Sequence, residues 1–147
     1  MPSIILFNNA GTGTGEDFPN EEDEGWERVV GVNLSVTFYM SRAVWPHMVG
    51  AGGGAIVNNS SIAAVIGFSK NLYDLTDRAP SSSYYVSKAG VDAFTRYTAS
   101  MGQQHDIRVN CVGPGQILTP MEQVVENIIA SSQSSICLRY LTVLVIR

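Results

Sequence analysis

Apolar and polar residues follow one another along the chain in blocks that predict strands and helices in turn. Short apolar runs at 4–7, 55–57 and 107–112 have the length of buried strands. Between them, from about 22 to 49 and from about 83 to 101, apolar residues recur every three or four positions, as on one face of a helix. Such alternation predicts an α/β fold with a parallel sheet. The expected apolar stripe of the first helix is Val29, Val32, Val36, Met40, Val44 and Met48.

A glycine-rich stretch, "GTGTG" at 11–15, follows the first predicted strand and raises the question of dinucleotide binding. The dinucleotide fingerprint is G-x-G-x-x-G at the start of a helix. A match that begins at Gly11 finds Gly13 but places Glu16 where the third glycine should be. The carboxylates of Glu16 and Asp17 would also repel a phosphate. We therefore interpret Gly13 and Gly15 as parts of a flexible loop.

Composition and charge argue against several kinds of partner. The 147 residues are 45% hydrophobic, 15% charged and have a mean hydropathy of +0.09, as expected for one globular domain. The net charge is −4, and seven of the thirteen acidic residues lie in 16–27, which we interpret as a solvated loop and helix start. Without a basic patch, nucleic-acid binding is not expected. The apolar run at 136–146 is too short to span a bilayer, so no membrane association is expected either.

The positions of the cysteines, histidines and serines argue against a disulfide-rich protein, a zinc site and a serine hydrolase. Two cysteines make no disulfide framework and no signal-peptide core is visible, so a cytoplasmic location is expected. His47 and His105 lack zinc-site spacing to Cys111 or Cys137, which predicts no metal site. The nucleophile elbow of a serine hydrolase, G-x-S-x-G, does not occur.

The second predicted helix begins with Tyr84-Tyr85-Val86-Ser87-Lys88. A tyrosine and a lysine four positions apart share a helix face, so phenol and ammonium can enter one cleft. An ammonium in a cleft shielded from water stabilises a phenolate, as acid/base chemistry requires. On this spacing alone, a pair of side chains on a helix surface is the commoner explanation. Tyr85, one position on, is expected to face protein.

The tyrosine–lysine pair is one of five motifs that occur in a fixed order along the chain. The other four are "NNAG" at 8–11, "VNL" at 32–34, "GAIVNNSS" at 54–61 and "IRVNCVGPG" at 107–115. In this order, the set resembles the short-chain dehydrogenase/reductase family over about residues 4–121. The resemblance implies a partial Rossmann-like, doubly wound parallel sheet in α/β/α layers that lacks the family's first strands. The phosphate-binding turn belongs to those strands, and "NNAG" closes the fourth.

The resemblance implies an NAD(P)-dependent oxidoreductase that interconverts a small-molecule alcohol and its carbonyl by hydride transfer. Tyr84 would be the general acid/base, and Lys88 would stabilise its phenolate and bind the nicotinamide ribose. Ser61 would hold the substrate oxygen, Ser60 would be structural, and Asn33 would anchor a water in the proton relay. The residues implied in binding NAD or NADP are Asn9, Ala10, Gly11, Tyr84, Lys88, Pro114, Gly115, Ile117 and Thr119.

Some features depart from the family. Ser61 and Tyr84 are 23 residues apart, with an apparent insertion at 70–80 that would form a substrate-side flap. The family pattern fades after Met121, so we expect a catalytic half at 1–121 and a divergent tail at 122–147, within a single domain. A second hypothesis is a non-catalytic remnant or interaction module that does not bind cofactor.

Two surfaces are expected to be apolar. The strand at 4–7 would be an unpaired edge strand, because its neighbour in the family is missing. The two long helices carry more apolar residues than one sheet face needs, which predicts a homo-oligomer. The residues concerned are Phe38, Trp45, Phe94 and Tyr97.

Overall fold

A computed structural model describes residues 4–67 and 81–115 of the chain and the backbone of 144–146. The strands are β1 (Ile4–Asn8), β2 (Gly54–Asn59), β3 (Ile107–Gly113) and β4 (Leu144–Ile146). The helices are α1 (Asp23–Val30), α2 (Val36–Ala51) and α3 (Ser82–Gly102). A π-helical segment at Gly31–Ser35 joins α1 to α2, and short 3-10 turns lie at Ile62–Ala64 and Gln103–His105. The predicted alternation of strands and helices is confirmed.

The described strands form one sheet in the order β1-β2-β3-β4. β1, β2 and β3 are parallel, with Ile4 beside Gly54 and Gly54 beside Ile107. β4 pairs antiparallel to β3, with Leu144 beside Gly113. The predicted parallel α/β architecture is therefore confirmed for the first three strands. The antiparallel β4 was not expected, because the tail at 122–147 showed no family pattern.

The hydrophobic core lies between one face of the sheet and the helices α2 and α3. Its buried side chains are Met48, Ile56, Ile107 and Val109. On the opposite face of β1, Ile5 is 71% exposed and Phe7 is 55% exposed. β1 is also the outermost of the described strands on its side, so both its edge and one face are open. None of the described helices is long and apolar enough to cross a bilayer.

The expectation of one uninterrupted apolar stripe over 22–49 is wrong. Val29 and Met48 are buried, but Val36 is 37% exposed and Met40 is 48% exposed. The π-helical segment is the reason, because a wider turn inserts one residue and rotates everything after it to another face. The buried positions that result are small and polar, namely Asn33, Thr37 and Ser41.

A buried polar network connects the two long helices through the sheet. The Asn8 side-chain amide donates to Ser41 Oγ of α2 at 3.1 Å and to Asn58 Oδ1 of β2 at 2.8 Å. The Asn58 amide in turn donates to Thr95 Oγ1 of α3 at 2.9 Å. A buried network whose members are hydrogen-bonded to one another fixes the elements it joins. It therefore sets α2 and α3 against the carboxyl ends of β1 and β2.

Candidate active site

The carboxyl ends of the parallel strands collect the polar segments at one edge of the sheet, where sites of open α/β folds lie. β1 leads into a loop at 9–22, and β2 leads to Ser60 and Ser61. The first turns of α3 bring Tyr84 and Lys88 to the same edge. α3 packs against α1, the π-helical segment and the turn Ile62–Ala64.

Lys88 lies at the centre of this edge, and its side chain is only 3% exposed. Its Nζ donates to the Asn59 backbone oxygen at 2.7 Å and lies 5.6 Å from the centre of the Tyr84 ring. Burial lowers the pKa of Lys88, and the nearby Asp92 carboxylate partly opposes this fall. The four-residue spacing thus places a buried ammonium beside the Tyr84 ring.

Tyr84 itself is partly exposed at the start of α3. Its backbone N–H donates to Ser81 Oγ at 3.3 Å, which makes Ser81 the N-cap of the helix. Tyr85 is also partly buried, as expected for a side chain facing protein. Burial, and secondarily the neighbouring Tyr84, raise the pKa of Tyr85.

The backbone at Gly11 passes close to two of these polar groups. A Cβ placed on Gly11 would lie 3.6 Å from Lys88 Nζ and 3.6 Å from Asn33 Oδ1. The loop after β1 contacts Asn33 directly through the Thr12 N–H, at 2.8 Å, and leaves room for a Cβ between Gly11 and Lys88 Nζ. The binding of cofactor by Asn9, Ala10 and Gly11 stays a prediction.

Asn33, in the π-helical segment, connects the loop to α3. It is 1% exposed, and its Oδ1 accepts the Thr12 N–H at 2.8 Å. Its Nδ2 donates to the Thr12 carbonyl and to Ser87 Oγ, each at 3.0 Å. Its own carbonyl accepts the Thr37 hydroxyl at 2.8 Å. The described structure thus gives Asn33 a structural function, and the water-anchoring role stays a prediction.

The two serines after β2 differ in exposure and in partners. Ser60 is 3% exposed, and its hydroxyl donates to the Lys88 carbonyl at 3.3 Å. Ser61 is partly exposed, and its Oγ accepts the Ala63 N–H at 3.2 Å as the cap of the turn Ile62–Ala64. Ser60 supports the backbone of α3, whereas Ser61 remains accessible at the edge.

The predicted cofactor-side residues fall into three groups. Asn9 and Ala10 are exposed, and Asn9 Oδ1 accepts the Asn59 side-chain amide at 2.9 Å. Pro114 and Gly115 reach the same edge, since the Pro114 carbonyl accepts the Ile62 N–H at 3.0 Å. Ile117, Thr119, the predicted flap at 70–80 and the boundary at 121 lie outside the described residues.

Glu21 contributes to this region although nothing in the sequence singled it out. Its Oε2 accepts the Ser82 hydroxyl at 2.5 Å and the Ser83 N–H at 3.0 Å, and its Oε1 accepts the Ser83 hydroxyl. Burial raises the pKa of the Glu21 carboxyl, but hydrogen bonds from Ser82, Ser83 and Thr14 outweigh it and lower that pKa. The run at 16–27 is a largely exposed loop followed by the start of α1, as expected, but Glu21 within it is partly buried and hydrogen-bonded to α3.

Sequence relatives of this chain are dehydrogenases and reductases. The family model described as short chain dehydrogenase matches residues 4–128. The cyclohexanol dehydrogenase of Acinetobacter sp. (strain SE19) is 42% identical over 119 residues, which is 80% of this chain and 43% of that protein. The chain spans about half the length of the curated relatives it matches.

Solved structures of related dehydrogenases share the fold. A 3-oxoacyl-[acyl-carrier protein] reductase from Brucella melitensis with bound NAD has a TM-score of 0.71 and 33% identity, and the match covers 83% of this chain and 45% of that one. A gluconate 5-dehydrogenase from Burkholderia cenocepacia in complex with NADP and tartrate has a TM-score of 0.69 and 26% identity. This match covers 82% of this chain and 43% of that one. With its family-model match, its parallel sheet and its tyrosine–lysine pair, the chain belongs to the short-chain dehydrogenase family.

Proposed function

We propose that this chain is the catalytic half of an NAD(P)-dependent oxidoreductase that interconverts a small-molecule alcohol and its carbonyl. One observation carries the proposal: a buried Lys88 ammonium held by the Asn59 carbonyl at 2.7 Å and placed 5.6 Å from the Tyr84 ring. A positive charge shielded from water is an effective stabiliser of a nearby phenolate. The dehydrogenase relatives support the same reaction class.

In this proposal, Tyr84 transfers the proton. Its phenol gives a proton to the carbonyl oxygen during reduction and removes it from the alcohol during oxidation. Lys88 stabilises the phenolate, Ser61 holds the substrate oxygen, and Asn33 anchors a water that connects Tyr84 to solvent. A positioned acid/base of this kind accelerates a reaction by about a hundredfold to ten-thousandfold.

The nicotinamide cofactor, when bound, supplies or accepts the hydride. The loop after β1 lies beside the proposed site, because a Cβ at Gly11 would come 3.6 Å from Lys88 Nζ. Asn9, Ala10, Lys88, Pro114 and Gly115 would line the site with it, and Ile117 and Thr119 are proposed to extend it. The proposal covers NAD and NADP alike, since the related structures hold one or the other.

Association of two copies and a cytoplasmic location belong to the same proposal. Phe38 of α2 is 41% exposed and Tyr97 of α3 is 65% exposed. The Phe38 and Phe94 rings contact each other edge to face, with centres 5.9 Å apart, so the two helices share one aromatic surface. Contiguous apolar surface of this kind marks an interface.

Tyr84→Phe tests the proposed reaction, because phenylalanine fills the same space but carries no proton. In cofactor-bound protein, we expect turnover of the alcohol substrate to fall at least about a hundredfold, with cofactor binding largely intact. The absorbance of reduced nicotinamide measures turnover, and Tyr85→Phe is the matched control that should keep it. Retained turnover in Tyr84→Phe would rule out the assignment.

A non-catalytic interaction module is the second candidate. The observation that favours it is the position of β1, which is the outermost described strand on its side and whose Ile5 and Phe7 are more than half exposed on one face. Exposed strand edges of this kind pair readily with another chain. A micromolar affinity of the chain for NADH or NADPH would favour the enzyme over this candidate.

A further inference from the structure

The loop at 9–22 is attached to the rest of the molecule on both sides of the candidate site. Near its start, Thr12 exchanges two hydrogen bonds with the Asn33 side chain, at 2.8 and 3.0 Å. At its end, Glu21 accepts hydrogen bonds from Ser82 and Ser83, more than sixty positions away in the sequence. Just before the first attachment, a Cβ at Gly11 would come 3.6 Å from Lys88 Nζ.

The second attachment acts directly on the helix that carries Tyr84 and Lys88. The first N–H groups of a helix have no partner within the helix, and a negative charge there is favourable. In α3, Ser81 Oγ accepts the Tyr84 N–H at 3.3 Å, while Glu21 accepts the Ser83 N–H at 3.0 Å from outside the helix. The Thr14 hydroxyl donates to Glu21 Oε1 at 3.3 Å, which fixes the carboxylate within its own loop.

We propose that Glu21 is a positioning residue, whose carboxylate joins the loop after β1 to the first turn of α3 and so sets Lys88 and Tyr84 against that loop. The effect of Glu21 on catalysis rests on the proposed function, whereas the contact between Glu21 and α3 does not. Ser82 and Ser83 immediately precede Tyr84, so a displacement of this turn moves the phenol directly. Lys88 follows one turn later and remains buried only while α3 stays against the loop and β2.

The test uses the 147-residue chain without cofactor, so that it does not depend on whether the chain is an enzyme. Glu21→Gln keeps the shape of the side chain and removes the charged acceptor. Glu22→Gln removes the same charge one residue away, where the side chain makes no capping hydrogen bond. Lys70 and Lys88 are the chain's two lysines, so isotope-labelled lysine ε-carbons give two NMR signals, assigned with Lys88→Arg.

Two effects on Lys88 have opposite signs, which makes the measurement decisive. Loss of a nearby negative charge alone would lower the pKa of Lys88, and Glu22→Gln reports the size of that effect. Displacement of α3 would expose Lys88 and move its titration upward, toward the ordinary lysine value of about 10.4. Within the described part of the chain, Asp92 and Tyr84 are the titratable groups near Lys88, and both are unchanged in the two variants.

We expect Glu21→Gln to raise the Lys88 titration midpoint and Glu22→Gln to leave it unchanged or slightly lower. We also expect amide exchange at Ser83 to become about tenfold faster in Glu21→Gln, because its acceptor is weakened. Equal Lys88 titrations in the two variants would overturn the proposal. The wild-type chain adds an independent measurement: a Ser83 amide that exchanges as fast as in an unstructured peptide overturns it whatever the variants do.

Discussion

A buried lysine needs an acceptor for its ammonium group, and in this chain the Asn59 carbonyl supplies it at 2.7 Å. The acceptor is a backbone group at the end of β2, so its position is set by the sheet rather than by a flexible side chain. Ser60 then holds the Lys88 carbonyl at 3.3 Å. Lys88 is therefore fixed at both its backbone and its Nζ, and one adjacent segment of the chain supplies both contacts.

Replacing Lys88 tests whether these contacts serve chemistry as well as packing. We expect Lys88→Met to weaken cofactor binding and to lower turnover in cofactor-bound protein, because the ammonium is proposed to serve the ribose and the phenolate together. Binding is measured by nicotinamide fluorescence and turnover by absorbance. Unchanged cofactor affinity in this variant would rule out the ribose contact while leaving the Tyr84 role to its own test.

At the scale of elements, α3 is held at its two ends by different means. Its start is capped by Ser81 and by Glu21. Its end relies on Gly102, because a Cβ at this position would overlap the Ile107 carbonyl at the start of β3. A capped start and a tight exit together place the helix along the sheet, which is what brings its first turns to the carboxyl edge.

Gly102→Ala should therefore destabilise the chain by roughly 1–3 kcal/mol, the usual cost of overpacking against fixed backbone. Gly50→Ala is the matched control, since its Cβ in α2 would meet nothing within 4 Å. Alanine there should stabilise the helix by about 0.5–1 kcal/mol. Urea unfolding midpoints measure both changes, and equal midpoints for the two variants would contradict the proposed close contact.

The attachment of the loop to α3 should depend on pH. The pKa of Glu21 in the folded chain lies below its ordinary value of 4.5, so its ionisation favours the folded state. This stabilisation is complete above about pH 4.5 and is lost as the pH falls through the folded pKa. The difference in unfolding free energy between wild type and Glu21→Gln should thus shrink on acidification. A difference that stays constant down to about pH 3 would contradict this assignment.

At the scale of the whole molecule, the described chain offers little to a pyrophosphate. Dinucleotides bind open α/β sheets at a strand–helix turn whose helix N-terminus receives the phosphates. The first turn of α1 carries Asp23 and Glu24, and the first turn of α3 is occupied by Glu21. Negative charge at both positions opposes a phosphate.

We accordingly expect the isolated chain to bind NADH and NADPH poorly or not at all, even though the predicted catalytic residues lie at one edge of the sheet. Fluorescence titration of the purified chain with each cofactor measures this. A micromolar dissociation constant for either cofactor would contradict the prediction and would favour the enzyme over the interaction module. Abolition of that binding in Lys88→Met would locate it at the proposed site.

Local pattern in the sequence was sufficient for β1, β2, β3 and α3, and the set of motifs was sufficient for the family. The strands predicted at 4–7 and 107–112 are observed as β1 (Ile4–Asn8) and β3 (Ile107–Gly113), because buried apolar runs report a property of the segment itself. The proximity of Tyr84 and Lys88 could also be predicted from the sequence, because residues four positions apart on a helix share one face.

Only the tertiary structure decided the remaining features. The π-helical segment at Gly31–Ser35 changes which face of α2 is buried. The spacing of apolar residues in the sequence did not predict this extra residue in the turn. Asn8 meets Asn58 and Glu21 meets Ser82 across 50 and 61 positions of sequence. A polar side chain can be hydrated at the surface or hydrogen-bonded to a buried partner. The sequence around it does not show which of the two occurs. The choice depends on which donor or acceptor the completed fold places opposite it.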